Sequence, residues 1–294
     1  MTRPISQSCE TSTADVCGVE FGRAADGMPV ARVGDLVFAM LPSRDGKHLL
    51  ASAWRVSRPL AELKRDDFYS YHGSIEDEAA FRARVTEQAE HSLDLQALAR
   101  ETVRINCNTP WGPSQGATLY AEGVVSHTTA GHGGFKLSAE RNAAVHPLLR
   151  ADDGFYEEDA AWAIVTHTFP DLFTRYDRRI ADQTVRDSWP DAWETIFGRA
   201  LTSGESREKD ARAFAWAHAG DWVVIAAIRS EHYDDMTEVI ATVGGKRGDS
   251  AMERRFLVPS ADYAAGRFGF VIDEGKHAAY HGPSSFVGWR GRTA

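Results

Sequence analysis

Four short apolar segments near the N-terminus constrain the fold more than any other feature of this sequence. They lie between residues 18 and 57 and read GVEFG, PVARVG, DLVFAML and HLLASAWRV. Turn-forming residues separate them, and β-branched or aromatic side chains are frequent in each. Short strands of this kind are typical of an antiparallel sheet that is solvated on one face. We therefore predict an antiparallel β-meander at the start of the chain.

Helical spacing replaces the strand pattern after residue 74. Phe81, Val85 and Ala89 recur every four residues, which is typical of one face of a helix. Ser74 and Asp77 have the spacing of a capping box, so we expect the helix to begin directly after Ser74. A second, separate helical piece is predicted over residues 93–100.

Three local signals lie further along the chain. Glu122-Gly123, between two strand-like segments, predicts a tight hairpin. Ser138 is the expected N-cap of a helix over residues 139–144. Pro190 is expected to break or kink a long helical stretch over residues 175–198.

The C-terminal third returns to strand patterns. A helix is predicted over residues 207–218, with strands at 222–228, 237–243, 254–258 and 268–272, and residues 202–206 form a polar linker. The predicted fold class is α+β: an antiparallel β-meander, mixed α/β segments, and a small antiparallel sheet near the C-terminus. The predicted parts, which can share one core, are a disordered lead-in (1–17), the meander plus helices (18–105), a His-loop and acidic-helix region (106–201) and a C-terminal α+β region (202–290).

Charge and missing motifs narrow the class of protein. The formal net charge of −9 disfavours broad binding to a phosphate backbone and leaves open an acidic surface that mimics DNA. No apolar segment reaches the roughly 18–20 residues that a bilayer requires, and no signal-peptide pattern occurs. The three cysteines form no CxxC pair, so we expect a reduced, cytoplasmic setting without membrane association. No nucleotide or zinc-helix motif is present, so no cofactor is predicted.

Residues 109–135 hold the densest set of chemically and conformationally special residues. The hexapeptide Thr-Ala-Gly-His-Gly-Gly sets His132 among three glycines, which let the backbone bend sharply and leave the imidazole exposed. A histidine titrates near neutral pH and can serve as a general acid or base. The alternative interpretation is a tight glycine turn in which the imidazole only hydrogen-bonds to the backbone.

A cluster of acidic residues follows at positions 156–159, with the sequence Tyr-Glu-Glu-Asp. Acidic residues in front of an apolar helical segment are typical of a helix's first turn, where they stabilise free amide groups. Three carboxylates are more than a cap needs, so we predict that one of them orients His132 or acts with it as an acid–base pair. The predicted catalytic residues are His132, Glu157, Glu158 and Asp159.

Two other chemistries stay open from the sequence. His127, His146 and His167 could complete a metal site with the acidic cluster, but nothing in their spacing demands one, so no metal is predicted. Cys107 could be a nucleophile with His132 as its base, although a free cysteine in a predicted strand is more often a buried apolar residue.

Three groups of residues occur in order: Thr-Pro-Trp-Gly at 109–112, Thr-Ala-Gly-His-Gly-Gly-Phe at 129–135, and Tyr-Glu-Glu-Asp at 156–159. In this combination the chain resembles a family of uncharacterised proteins encoded on plasmids, phages and integrated elements, mainly in proteobacteria. The resemblance covers residues 109–173 and extends to 256–259 and 268–273. It implies a role in maintaining a mobile element. The residues expected to bind a ligand near His132 are Trp111, Thr129, Gly133, Gly134, Tyr156 and Arg141.

Three alternative functions are consistent with the sequence, and the first of them is preferred. The first is a mobile-element accessory protein that acts on or against host nucleic-acid or defence machinery, through a pocket around His132 and residues 156–159. Its partner would be a host protein or nucleic-acid-associated machinery of unknown identity. The second is a hydrolase-type enzyme with His132 as general base and a Glu or Asp partner. The third is an acidic protein that mimics DNA and binds a basic partner in a salt-sensitive way. No oligomeric state is predicted.

Overall fold

The computed structural model describes residues 18–43, 46–248 and 251–287. The chain forms two compact units, residues 1–182 and residues 183–294. The predicted α+β class is confirmed, whereas the predicted disordered lead-in, residues 1–17, lies outside the described residues. The division of the chain at residues 105/106 and 201/202 stays a prediction. No helix in the described ranges combines the length and apolar character needed to cross a bilayer.

The first unit begins with a five-stranded sheet, which confirms the predicted meander. Its strands pair in sequence order, and every pair is antiparallel. The last strand was not predicted, because four of its six residues are exposed and it has no apolar alternation. The strands are β1 (Val19–Arg23), β2 (Pro29–Val33), β3 (Leu36–Pro42), β4 (His48–Trp54) and β5 (Ser70–Ile75).

Both faces of the central strands of this sheet are buried, so the expectation of one solvated face was wrong there. Val37 and Leu41 on β3 pack into one core cluster together with Leu60, which lies in a short 3₁₀ turn. Phe38, the neighbour of Val37, points to the opposite face and packs there with Phe81. The continuous apolar run of β3 is typical of a strand covered on both sides.

A single helix, α1 (Glu78–Ala97), covers that second face, where two helical pieces had been predicted. Its buried residues, Phe81, Val85 and Ala89, are those that the spacing indicated. The predicted capping box was wrong, since Ser74 belongs to β5. Asp77 is the N-cap instead, and its carboxylate accepts a hydrogen bond from the Ala80 amide at 2.7 Å.

A second five-stranded antiparallel sheet follows in the same unit. Its strands are β6 (Glu101–Val103), β9 (Gly116–Ala121), β10 (Val124–Thr128), β11 (Gly133–Leu137) and β12 (Phe155–Glu157), and β7 (Asn108–Thr109) and β8 (Gly112–Pro113) form a separate hairpin. The strands of the sheet pair in the order β12-β11-β10-β9-β6. The predicted tight hairpin at Glu122-Gly123 is confirmed between β9 and β10, where Gly123 has a φ of +76°.

The acidic residues at 156–159 had been expected in the first turn of a helix, but they lie before it. Tyr156 and Glu157 belong to strand β12, and the next helix begins only at Trp162. The predicted N-cap Ser138 is confirmed, because its hydroxyl accepts from the Arg141 amide at the start of α2. The helices after this sheet are α2 (Ala139–Ala144), α3 (Trp162–Thr168) and α4 (Arg175–Ser188).

The second unit contains the small antiparallel sheet that was predicted near the C-terminus. Pro190 begins a new helix, as expected from its missing amide hydrogen. The predicted strand at residues 268–272 was wrong, because Val271 makes only an isolated bridge to Val223. The elements are α5 (Pro190–Phe197), α6 (Arg207–Ala217), β13 (Trp222–Arg229), β14 (Met236–Val243), β15 (Glu253–Pro259) and β16 (Ala278–Ala279), with the four strands in sequence order.

Candidate active site at the end of the second sheet

His132 lies at the tip of the β10–β11 connection, which Thr129 closes. The Thr129 amide donates to the His132 carbonyl oxygen at 2.9 Å, and the Thr129 hydroxyl donates to the same oxygen at 2.7 Å. The hydroxyl also lies 3.3 Å from the Trp111 carbonyl oxygen, so it ties the turn to the β7–β8 hairpin. The His132 side chain is 59% exposed, which agrees with the accessible imidazole that the glycines suggested.

The two glycines after His132 let the neighbouring chain approach closely. A Cβ on Gly133 would lie 2.5 Å from Glu158 Oε2, and a Cβ on Gly134 would lie 2.5 Å from the Trp111 ring and 2.3 Å from the Tyr156 carbonyl oxygen. All three distances are far below ordinary contact. The glycines therefore serve mainly to admit Glu158, Trp111 and strand β12.

Strand pairing brings the acidic residues to His132. Gly134 on β11 is the partner of Glu157 on β12, and the Glu158 amide donates to the Gly133 carbonyl oxygen at 3.0 Å. His132 Nδ1 consequently lies 3.6 Å from Glu157 Oε1 and 3.9 Å from Glu158 Oε1. One ligand atom from each of these three residues lies within 4.8 Å of the other two. We call these three side chains the His132 cluster.

The two carboxylate oxygens of Glu157 differ in their hydrogen bonding. Its Oε2 accepts a hydrogen bond from the Asp159 amide at 2.7 Å. Its Oε1 is inaccessible to solvent and has no hydrogen-bond partner among the described residues. The Asp159 side chain is exposed and stands outside the His132 cluster. Asp159 thus contributes its backbone, and its predicted catalytic role stays a prediction.

A cleft of about 350 Å³ lies beside the cluster and includes Glu158 in its wall. This volume is in the range of small-molecule sites. Aromatic rings form much of the lining: the Tyr120 and Phe135 rings are 4.9 Å apart, and Phe135 and Phe173 are 5.7 Å apart. A larger cleft of about 690 Å³ is lined by residues between Ala25 and Asp66 and does not include the His132 cluster. The lining residues of the smaller cleft are His91, Leu95, Arg100, Tyr120, Ser126, Phe135, Glu158, Trp162, Phe173 and Asp177.

Arg100 and Tyr120 are two polar features of this cleft that the sequence did not indicate. The Arg100 guanidinium stacks 3.9 Å from the Tyr120 ring centre, and its Nη1 donates to the Tyr120 hydroxyl at 3.1 Å. Its Nη2 donates to the Leu172 carbonyl oxygen at 2.8 Å. Burial raises the pKa of Tyr120, and the nearby Arg100 charge only partly offsets that rise. Nothing in the local sequence marks Arg100, because its partners are distant in the chain.

Three of the predicted ligand-binding side chains brace the site in this structure. Tyr156 is 1% exposed and its hydroxyl donates to Asn142 Oδ1 at 2.6 Å. The Trp111 ring meets Phe155 edge-on, with ring centres 5.8 Å apart. Arg141 donates from Nε to the Glu122 carbonyl oxygen at 3.0 Å. Their roles in ligand binding stay predictions.

Replacing Tyr156 by Phe should lower the free energy of unfolding by about 1–3 kcal/mol, because buried groups lose a hydrogen-bond partner. The Tyr156 hydroxyl donates to Asn142 Oδ1 and also accepts from the Ala151 amide at 3.1 Å. Urea unfolding followed by circular dichroism measures the change. The matched control is Tyr71→Phe, at an exposed position, which should shift stability by less than about 0.5 kcal/mol. Equal effects of the two substitutions would contradict the structural role of the Tyr156 hydroxyl.

Two of the other histidines considered for a metal site, His127 and His146, are engaged elsewhere. His127 is 2% exposed, and its Nδ1 lies 2.9 Å from the Ser114 hydroxyl oxygen. Burial lowers the pKa of His127 and so favours its neutral form. His146 Nδ1 accepts from the Leu148 amide at 3.3 Å. Cys107 lies in a loop before β7 and not in the strand that had been predicted for it.

One of three comparisons with known proteins found a match, and it covers this same region. Searches against curated proteins and against solved structures gave no match. A family model described as a domain of unknown function, DUF7007, matches residues 104–219. The match contains the whole His132 cluster, whereas Arg100 precedes it. The prediction that an uncharacterised family covers the motif-rich stretch is confirmed in this coarser form: over residues 104–219 the chain is similar to the DUF7007 domain.

Proposed function

We propose that this protein is a hydrolase-type enzyme in which the His132 cluster activates a water molecule at the edge of the aromatic cleft. The observation that carries this proposal is the approach of His132 Nδ1 to two carboxylate oxygens, at 3.6 Å and 3.9 Å. Catalytic hydrogen bonds are often long before the substrate binds and shorten when it does, and a carboxylate that then reaches one imidazole nitrogen orients the ring. The second nitrogen is then available for proton transfer.

The chemical step uses the residues as follows. His132 accepts a proton from water while the water oxygen bonds to the electrophilic atom of the substrate. The bond to the leaving group breaks, and the imidazolium returns the proton to that group, so atoms and charges balance. Glu157 and Glu158 stabilise the transient positive charge on the ring. Glu158 supports this role in particular because it belongs both to the cluster and to the cleft wall.

The lining of the cleft favours a substrate with an apolar planar portion. Tyr120, Phe135, Trp162 and Phe173 supply ring surfaces, on which a planar group can stack. The guanidinium of Arg100 is fixed by its stacking on Tyr120 and by an ion-pair distance of 3.8 Å to Asp177. A fixed guanidinium in such a wall suits a carbonyl or phosphoryl oxygen of the substrate.

The biological setting that we propose is the one that the family resemblance implies, an accessory function of a plasmid, phage or integrated element directed at host nucleic-acid or defence machinery. The distribution of charge favours an enzymatic site over DNA mimicry for this chain. Mimicry needs a continuous negative surface, and on α1 the carboxylates of Glu87 and Asp94 are paired with Arg179 and Arg175. Such pairing breaks up a negative stripe.

Substituting His132 by Gln should lower hydrolytic turnover by at least about 100-fold, and Glu158→Gln by about 10- to 100-fold, because general acid–base groups contribute on this scale. The purified full-length protein is assayed against chromogenic carboxylic esters, phosphomonoesters, phosphodiesters and anilides. Circular dichroism establishes that each variant is folded.

The matched control for that assay is His146→Gln, which alters an exposed histidine of the same unit outside the cluster. Its turnover should stay within about twofold of the unmodified chain. Full activity in a folded His132→Gln variant would contradict the proposed function. Absence of turnover on every substrate class of the panel would also count against it.

A further inference from the structure

We infer that the His132 cluster is a binding site for a divalent transition-metal ion, with Zn²⁺ as the best-fitting ion. His132 Nδ1 faces Glu157 Oε1 and Glu158 Oε1, and one ligand atom from each of the three residues lies within 4.8 Å of the other two. Neither the spacing of the histidines nor any sequence motif indicated this set. It arises because β12 pairs with β11 and brings two successive carboxylates to the tip of the β10–β11 turn.

The distances suit one ion between the three side chains. Zinc ligands lie about 2.0–2.2 Å from the metal, so neighbouring ligand atoms of a tetrahedral site are roughly 3.3–3.6 Å apart. The observed separations from His132 Nδ1 are 3.6 Å to Glu157 Oε1 and 3.9 Å to Glu158 Oε1. The His132 and Glu158 side chains are 59% and 49% exposed, so small rotations can close the remaining gap without disturbing the core.

The unsatisfied oxygen of Glu157 is an independent observation that favours a cation at this place. Oε1 is inaccessible to solvent and lacks a hydrogen-bond partner among the described residues. A buried carboxylate oxygen in this state is unfavourable. The imidazole does not satisfy it, because 3.6 Å exceeds hydrogen-bond length. Meanwhile the Asp159 amide holds Oε2 at 2.7 Å, and a hydrogen bond of this kind orients a metal-binding carboxylate.

The donor set selects the type of ion. One imidazole nitrogen and two carboxylate oxygens suit Zn²⁺ and its first-row neighbours, whereas Ca²⁺ and Mg²⁺ prefer oxygen alone and Cu⁺ prefers sulfur. Three protein ligands leave at least one coordination position for water, as in catalytic rather than structural zinc sites. The high exposure of His132 leaves that position open to solvent.

Bound metal would also specify how water is activated. A zinc-bound water ionises near neutral pH, at a pKa of about 7, and supplies hydroxide after its proton passes to solvent. His132 then acts as a ligand, and the ion takes over the part of the general base. This catalytic consequence rests on the proposed hydrolytic function, whereas metal binding itself does not depend on it.

The test is a titration of the metal-depleted full-length protein with Zn²⁺ by isothermal calorimetry. We expect one Zn²⁺ per chain and a loss of affinity of at least about 100-fold in His132→Gln and in Glu157→Gln, since even an outer-shell change costs about 10- to 100-fold. The control is Asp159→Asn, which removes an adjacent negative charge but keeps the backbone amide that orients Glu157. Its affinity should remain within about threefold, because coordination depends on the ligand atoms and not on the net charge nearby.

Each outcome decides between two explanations. If the wild-type chain binds no Zn²⁺, or if Asp159→Asn weakens binding as much as Glu157→Gln, the inference is overturned, the second result indicating only diffuse attraction to an acidic surface. Hydrolysis that persists in the metal-depleted protein overturns the catalytic role of the ion and leaves the proposed function intact. Specific Zn²⁺ binding without turnover supports the metal site and removes the proposed hydrolase.

Discussion

Glu238→Gln should lower the free energy of unfolding of the C-terminal unit by about 3–5 kcal/mol, which is the usual effect of removing one partner from a buried ion pair. Glu238 Oε1 lies 2.8 Å from Arg255 Nη1, and the two side chains are 0% and 6% exposed. Glutamine keeps the volume of glutamate, so any loss comes from charge and not from a cavity. The substitution removes the carboxylate that pairs with the buried Arg255 guanidinium.

The same carboxylate holds the last described segment of the chain against the sheet. Glu238 Oε1 accepts from the Ser284 hydroxyl at 2.8 Å, and Oε2 accepts from the Ser285 amide at 2.7 Å. Arg255 Nη2 donates to the Gly282 carbonyl oxygen at 2.6 Å. Hydrogen exchange of full-length protein, measured for peptides that cover β14 and residues 278–287, should therefore report the loss of protection in both places.

An adjacent ion pair supplies the control. Arg254, next to Arg255 on β15, pairs with Glu274 at 2.9 Å, but these side chains are 43% and 59% exposed. Exposed pairs of this kind contribute about 0–1 kcal/mol, so Glu274→Gln should change protection little. Similar losses in the two variants would show that burial of the Glu238–Arg255 pair is not what stabilises the unit.

The pH dependence of this contribution has a definite sign. Burial by itself would raise the pKa of Glu238, but hydrogen bonds from Arg255, the Ser285 amide and the Ser284 hydroxyl outweigh it and hold the pKa below its ordinary value. A carboxyl with a lowered folded-state pKa stabilises the protein above its unfolded-state pKa of about 4.3 and loses this effect as pH falls through the folded-state value. Acidification should consequently lower the free energy of unfolding of the wild type more than that of Glu238→Gln.

Gly134→Ala should destabilise the first unit by about 2–6 kcal/mol, the sum of backbone strain and overpacking. The φ of Gly134 is +155°, and a Cβ there would lie 2.3 Å from the Tyr156 carbonyl oxygen and 2.9 Å from Glu157 Cα. Both atoms belong to the backbone of β12, so they cannot move aside as a flexible side chain would. The expected result is separation of β12 from β11, read out as lost amide protection across residues 133–137 and 155–157.

The loss of this strand pairing should also separate Glu157 and Glu158 from His132, because β12 carries Glu157 and leads directly to Glu158. Gly131→Ala is the matched control in the same loop, since a Cβ at Gly131 meets no atom within 4 Å. Its stability should lie within about 0.5 kcal/mol of wild type. A Gly134→Ala variant as stable as Gly131→Ala would show that the close approach of β12 is not a requirement of the fold.

The local elements were largely readable from the sequence, because their signals lie within a few residues. The turn at Glu122-Gly123, the N-cap at Ser138 and the helix break at Pro190 each follow from the conformational properties of one or two residues. The failures share a cause. Strand β5 is mostly exposed and polar, and the strand at 155–157 carries acidic residues typical of a helix start, so in both the pairing partner overrode the local pattern.

The sequence by itself determined the α+β class, the first four strands and the accessible imidazole of His132, since periodicity and glycine content act locally. Only the tertiary structure decided which carboxylates approach that imidazole. The pairing of Gly134 with Glu157 brings Glu157 and Glu158 to His132 and leaves the Asp159 side chain outside the cluster. The tertiary structure alone also decided that Arg100 stacks on Tyr120. Contacts between residues far apart in the chain have no local sequence signal, because they depend on how the strands and helices pack.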